Sequence, residues 1–354
     1  MRKFLSILLS LTLLISIFKV NNVKAATNDE QKILSVITGY LEHYLSLQKD
    51  LKVTNNNYIY PNSKLSEFYT LSSNSMAKWY SSTFGQLDWF DLEVKINSIE
   101  DMNDFLIVNV DEIVNGQYIG VNDLTKYEVN HTLYLKYYND ELLVERDILT
   151  VESSNNKSNT ILSDKEYNKY IDEKIEIEKE KSVNLESEID KVNEPTINSD
   201  TIEDRSATFN SGNYNRWAAK QYAIDYAYGS EDYQDYDCTN FVSKALKVGG
   251  LPTDETWYPG SYAWIRVIAL RDYLISSGRA KEDYMYLDNS DIGDIIQLFN
   301  SDEGYWSHSV IVTGALGNAR LVSAHSVAAK NVNFSSYYPG KSFYSNYRVL
   351  RIVY

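Results

Sequence analysis

Asp237-Cys238-Thr239-Asn240-Phe241-Val242-Ser243-Lys244-Ala245-Leu246-Lys247-Val248-Gly249-Gly250 is the stretch from which the second half of the chain is read. Phe241, Val242, Ala245, Leu246 and Val248 recur at the spacing of one buried helical face. Asp237 is placed to accept a hydrogen bond from an orphan N–H of the first turn. Gly249-Gly250, followed by Leu251-Pro252, is a stop signal. Cys238, the only cysteine of 354 residues, then falls in the first turn of a helix. There the positive end of the helix dipole favours thiolate over thiol, which is what a cysteine nucleophile needs. The same position also suits an inert thiol, because free Cys is among the most buried residue types. The helix by itself does not choose between the two.

Outward from this stretch, the ends and the composition narrow the classes. Arg2-Lys3, the apolar run Phe4 to Phe18 and Val23-Lys24-Ala25 read as a secretory signal peptide over residues 1–25. The run is short for a membrane span, which needs about 20 residues. The expectation is a secreted or cell-surface protein with no stable membrane insertion after cleavage. An exported chain with a single cysteine makes no internal disulfide, so the thiol is a dimer link or a reactive group. A net charge of −15 argues against a nucleic-acid partner. Residues 151–206 hold fifteen Asp/Glu against eight Lys/Arg, while 207–354 hold fifteen against thirteen. The half bearing Cys238 is thus nearly neutral.

The period of the apolar residues divides the chain. Over 26–150, helices are expected at Asn28–Lys49 and Ser63–Phe84, then strands at Leu92–Ile96, Phe105–Val110, Tyr127–Tyr138 and Leu142–Leu149, with a hairpin turn at Asn139-Asp140. Helices followed by an antiparallel sheet give a small α+β domain of unknown role. Its topology resembles cystatin-like and nuclear-transport-factor-like folds. His43 and His131 each stand alone there and read as structural. Residues 151–206 read as an acidic linker, with a polar, salt-bridged helix over Glu166–Lys181 and freedom for the flanking parts to move. Residues 207–354 form a second α+β domain. Helices are expected at Tyr214–Tyr228 and Ala263–Ser276, then strands at Ile295–Phe299, His308–Thr313, Ala319–His325 and Tyr347–Tyr354.

Gly314-Ala315-Leu316-Gly317-Asn318 between two of those strands signals a hairpin. A turn centred on Leu316 and Gly317 sets His308 directly across from His325, on one sheet face. A thiolate, an imidazole to form its ion pair and a polar group to orient that imidazole are the parts of a cysteine protease or amidase. Helix N-terminal N–H groups can stabilise the oxyanion. Cys238 is read as the nucleophile, His308 as the base and His325 as the orienter. Asp237, Tyr236 and Trp306 are weaker candidates for oxyanion or substrate contacts. Trp257 and Trp264 suit a groove or a core equally, and Asp294 suits a turn at a strand entry.

Asp-Cys-Thr-Asn-Phe-Val-Ser at 237–243, Gly293-Asp294-Ile295-Ile296, Trp306-Ser307-His308-Ser309-Val310-Ile311-Val312-Thr313 and Ala324-His325-Ser326 resemble the putative amidase domain family of exported bacterial proteins. That family is similar to the NlpC/P60 and CHAP groups of papain-like cysteine hydrolases. Asp-Cys-Ser-Gly-Phe is the usual NlpC/P60 form, and Thr-Asn here stands for Ser-Gly. The resemblance covers Tyr214 to Tyr354. It implies a papain-like domain with a helix-borne cysteine and an antiparallel sheet, Cys238, His308 and His325 as the catalytic set, no cofactor, and a peptide or peptidoglycan-type amide as substrate. Two other readings stay open at this point. One thiolate and two imidazoles also make a zinc site of Cys238, His308 and His325. A non-enzymatic surface interaction protein that kept the fold is the other.

Overall fold

The computed structural model describes residues 28–83, 85–149, 161–193, 213–233, 237–316, 319–338, 340 and 343–354. The segment read as a signal peptide and the candidate Tyr236 lie outside them. The first half runs α1 (Asn28–Asp50), α2 (Lys64–Ser82), β1 (Leu87–Asp101), β2 (Leu106–Tyr118), β3 (Thr125–Tyr138) and β4 (Glu141–Leu149). Ile33, Ile37, Tyr40 and Leu41 of α1 repeat at helical spacing. With Leu65 and Tyr69 of α2 they close over Val108, Val110, Leu133, Leu135 and Val144 of the sheet. Asn139 and Asp140 have φ of 48° and 65° between the paired Tyr138 and Glu141, the left-handed pair that a two-residue hairpin requires.

The stretch read as a linker holds α3 (Asp164–Asn193), a helix of 30 residues that lies along α2. Its start is a capping box. Glu166 accepts from the Ser163 N–H at 2.9 Å, and Ser163 Oγ faces the Glu166 N–H at 3.4 Å. Tyr167, Ile171 and Ile175, four apart, are buried against Ile107, Tyr134 and Ile148. Lys64–Asp172 at 2.6 Å and Lys78–Glu186 at 2.5 Å flank that contact. The helix is therefore longer than Glu166–Lys181, and it docks on the first half instead of swinging free. Its apolar stripe is thin and sits among charges, which is why composition alone read the region as solvated.

The second half runs α4 (Arg216–Tyr226), α5 (Asp237–Val248), α6 (Tyr262–Ile265), α7 (Val267–Ser276), β5 (Ala280–Tyr284), β6 (Ile295–Asn300), β7 (Tyr305–Leu316), β8 (Ala319–Ala324), β9 (Ala329–Asn333) and β10 (Tyr344–Ile352). This is the mixed helix and antiparallel-sheet architecture expected. Helix α5 ends as the glycines predict. Leu251 N–H reaches Leu246 O at 3.1 Å and Gly250 N–H reaches Lys247 O at 3.0 Å, with Gly250 at φ +97°. A Cβ on Gly249 would lie 2.3 Å from the Tyr214 ring, so the close approach of that ring also demands glycine.

Among the described residues the strands form one antiparallel sheet ordered β1-β2-β3-β9-β8-β7-β6-β10-β5, with β4 also on β3. The two halves meet where Lys126 pairs with Lys330 and Tyr127 with Ala329. Beside that seam Asn333 N–H donates to Tyr118 Oη at 3.2 Å, and Lys220 meets Asp123 at 3.0 Å. Leu321 of β8 packs with Leu45, Leu87, Val114 and Tyr118. Helices α4 to α7 cover one face of the C-terminal strands, where Phe241, Val242, Leu246, Trp257, Trp264 and Leu274 meet Ile295, Ile311 and Leu350. On the other face lie Leu298, Val310, Val312, Val322, Tyr337, Tyr344 and Tyr347.

Candidate active site

Cys238 is the second residue of α5, and its side chain is buried. Its Sγ lies 4.0 Å from the Ser307 carbonyl oxygen, at the start of β7, and 3.7 Å from Thr239 Oγ1. Thr239 Oγ1 in turn lies 3.2 Å from Ser309 Oγ. The mouth of the helix therefore meets β7 on both sides of residue 308. The Cys238 N–H donates to Ser326 Oγ at 3.1 Å. One orphan donor of the first turn is thus satisfied by the β8–β9 turn.

Asp237 was expected to cap its own helix. It is fully buried, and Oδ1 instead accepts from the N–H groups of Asp232 and Tyr233, at 3.0 and 3.2 Å, and from Asn240 Nδ2 at 2.8 Å. It thereby closes the incoming loop onto the helix. Its Oδ2 hydrogen-bonds His325 Nδ1. The other ring nitrogen, Nε2, lies 2.6 Å from the Tyr226 carbonyl oxygen, and the ring stacks on Phe241 with centroids 4.3 Å apart. Both nitrogens face acceptors, an arrangement that favours the doubly protonated ring. Burial alone would lower its pKa, but the Asp237 carboxylate and the Tyr226 carbonyl outweigh it and the pKa is raised. Burial likewise opposes the Asp237 charge, and the His325, Asn240 and Tyr233 hydrogen bonds overcome it, so that pKa is lowered.

On β7, His308 pairs with Leu298 of β6 and is buried. Its ring stacks near Tyr337 and Tyr344, with centroids at 5.6 and 6.3 Å, on the face it shares with Val310 and Val312. The two histidines do not stand opposite each other. The hairpin pairs Leu316 with Ala319, and a bulge between Val312 and Gly314 shifts the ladder to Val312↔Val322 and Ile311↔Ser323. Continued, that register sets residue 309 across from 325. One residue of slip reverses every side chain, so His325 turns to the helix face and His308 to the face of the tyrosines.

The lesser candidates resolve differently. Trp306 lies under the Arg348 guanidinium at 4.1 Å and against Phe299, so it packs beside β10. Trp257 and Trp264 are core residues, tied through their indole N–H groups to Ser243 Oγ at 3.2 Å and Asn240 Oδ1 at 2.7 Å. Asp294, buried at the β6 entry, meets Arg216 Nη1 at 2.7 Å. Burial pushes its carboxyl up to about 6, against the pull of that guanidinium. Thr239 and Asn240, the two departures from Ser-Gly, both have partners: Ser309 for one, Asp237 and Trp264 for the other. Sequence reasoning missed Asn240, Ser326 and the Tyr226 carbonyl. Each acts through a long-range hydrogen bond that leaves no periodic trace. Among the described residues no group of three or more His, Cys, Asp or Glu is arranged to hold a metal ion. His325 in particular has both nitrogens engaged, which does not fit a ligand in a zinc site.

Residues 213–346 match the sequence family described as "Putative amidase domain". This region contains the whole constellation and suggests an enzyme that hydrolyses amides. A relative in Bacillus subtilis (strain 168), Uncharacterized protein YjcM, is 33% identical over 132 residues, which are 34% of this chain and 32% of that protein. The chain thus covers about a third of the length of that curated relative. No solved structure matches the chain significantly.

Proposed function

We propose that the C-terminal half is a papain-like cysteine amidase of the NlpC/P60 kind, acting on peptide amides of the cell wall. The observation that carries the reading is the place of Cys238. It lies in the first turn of a buried helix, inside the segment matched to an amidase family, with its thiol against the start of β7. The thiolate attacks the amide carbonyl carbon, and a C–S bond forms as the C–N bond breaks. The leaving amine takes a proton from an imidazolium. Water then attacks the thioester, returning a proton to the imidazole and the thiolate to Cys238. The Cys238 N–H is the oxyanion donor in this reading.

His308 takes the role of base in this reading from the family resemblance and by elimination, not from its placing, since its ring lies on the tyrosine face of β7. The matched segment has two histidines, and His325 has both nitrogens turned to fixed acceptors, which leaves neither to take a proton from a thiol. His325 therefore positions the catalytic helix, through Asp237, where it was first read as orienting His308. The basic and apolar leader at residues 2–25 supports export, and among the described residues no helix is long and apolar enough to cross a membrane.

The test is the pH dependence of iodoacetamide labelling in wild type and His308→Ala, followed by amine release from wall stem peptides. The single thiol makes the label unambiguous. Fast labelling well below the ordinary thiol pKa of about 8.5, lost in the variant, is the expected result. Equal, slow labelling of both proteins would remove the Cys238–His308 pairing.

A further inference from the structure

The β8–β9 turn reaches across to the catalytic helix through one side chain. Ser326 Oγ accepts the Cys238 N–H at 3.1 Å. In the proposed reaction this N–H faces the oxygen of the attacked carbonyl, so the hydroxyl stands where that oxygen would go. Ser326 has φ +75°, a conformation that serine adopts only when its surroundings impose it. The restraints are present on both sides. Its own N–H donates to Glu231 Oε1 at 2.9 Å, and Tyr228 Oη donates to the Ala328 carbonyl at 3.0 Å. The preceding residue, His325, is fixed by Asp237 and Tyr226. The backbone of the turn is thus set, while the Ser326 side chain, half-buried, hangs from it by a single torsion.

We propose that Ser326 is a built-in occupant of the oxyanion position. Its hydroxyl oxygen holds the Cys238 N–H in the resting enzyme, and a substrate carbonyl enters by turning that hydroxyl aside about χ1. The backbone does not move. This inference rests on the cysteine amidase reading and adds a residue that sets the ease of acylation. A plain helix cap would behave in the opposite way. Removing it would loosen the first turn and slow every reaction of the thiol.

Two probes separate the cases. p-Nitrophenyl acetate acylates a thiolate through a tetrahedral oxyanion: sulfur bonds to the acetyl carbon and p-nitrophenolate leaves with the electron pair. Iodoacetamide alkylates the same sulfur by displacing iodide and forms no oxyanion. The variant is Ser326→Gly, which suits the positive φ and removes the hydroxyl. The acylation burst is followed at 400 nm or so, and the thioester on Cys238 is read by intact mass. Ser326→Gly is expected to acylate ~5-fold faster, the factor that one neutral hydrogen bond represents. Its alkylation rate and pH profile stay those of the wild type. Acylation unchanged or slowed in Ser326→Gly overturns the inference and leaves the amidase reading in place. Absence of a thioester on wild-type Cys238 removes that reading, and the occupant role with it.

Discussion

Two buried imidazoles, one in each half, are held in nearly the same way. His131 of β3 lies between Asp147 Oδ1 at 2.9 Å and Glu112 Oε2 at 3.4 Å, and Tyr40 Oη donates to Asp147 Oδ2 at 2.8 Å. His325 lies between the Asp237 carboxylate and the Tyr226 carbonyl. Each turns both nitrogens to acceptors, and each binds its proton more tightly than a free histidine. The difference is in what the clamp holds. His131 ties three strands of the sheet together, with β2, β3 and β4 each contributing a partner. His325 ties the end of α4 and the β8–β9 turn to the helix that carries the thiol. A histidine beside a nucleophile is therefore not its base by proximity alone. The number of nitrogens left for chemistry decides.

The sharpest way to break the comparison is to remove the proposed nucleophile. Cys238→Ala is expected to abolish thioester formation and amide cleavage, with an unchanged urea midpoint. His308→Ala comes next, with a loss of about 10²–10⁴ in the rate of acylation, measured by single-turnover kinetics. His131→Ala leaves two carboxylates buried without their cation. Urea unfolding should show a loss of ~3–5 kcal/mol, while acylation per folded molecule is unchanged. His325→Ala is expected to lower both stability and acylation rate, and an effect on stability alone would make the two clamps equivalent.

The pH dependence sharpens the same point. Each imidazole is held more tightly folded than unfolded, so its stabilisation is complete below the ordinary value near 6.5 and fades as pH rises through the raised one. For His131, burial opposes the charge and Asp147 and Glu112 raise the pKa to about 10. Asp147 and Asp237 are depressed, so their share is complete above the ordinary carboxylate value and is lost as pH falls through the lowered one. Urea midpoints should hold between the ordinary carboxylate range and about 6.5, then decline as pH climbs from there towards 10. In His131→Ala that alkaline decline should become shallower. The smallest effect belongs to Trp306→Ala, which removes a partner of Arg348 and should change acylation less than two-fold or so.

Much of this was legible in the chain. Helix α5, its glycine stop and the first-turn cysteine follow from five apolar positions and two glycines, because those signals are local. The Asn139-Asp140 turn is legible for the same reason. The partner of a strand is not. The hairpin after β7 was placed, but the bulge at Val312/Gly314 was not, and it moved His308 and His325 to different faces. Five-residue β9, Ala329–Asn333, has too little alternation to announce a strand. The helix at 164–193 reads as linker because five buried apolar residues, Tyr167, Ile171, Ile175, Leu185 and Ile189, scattered among many charges do not alter its average polarity. His131 looked solitary because Glu112 and Asp147 come to it from other strands.

The strand pairing across the seam consists of Lys126↔Lys330 and Tyr127↔Ala329. Its consequence appears when the chain is cut. A fragment beginning at residue 207 would keep every residue of the candidate site, yet it would bare one edge of β9, with main-chain donors and acceptors turned outward. Such an edge is a template for another strand, and a second copy of the fragment is the nearest source. In the whole chain, β3 of the first half occupies part of that edge.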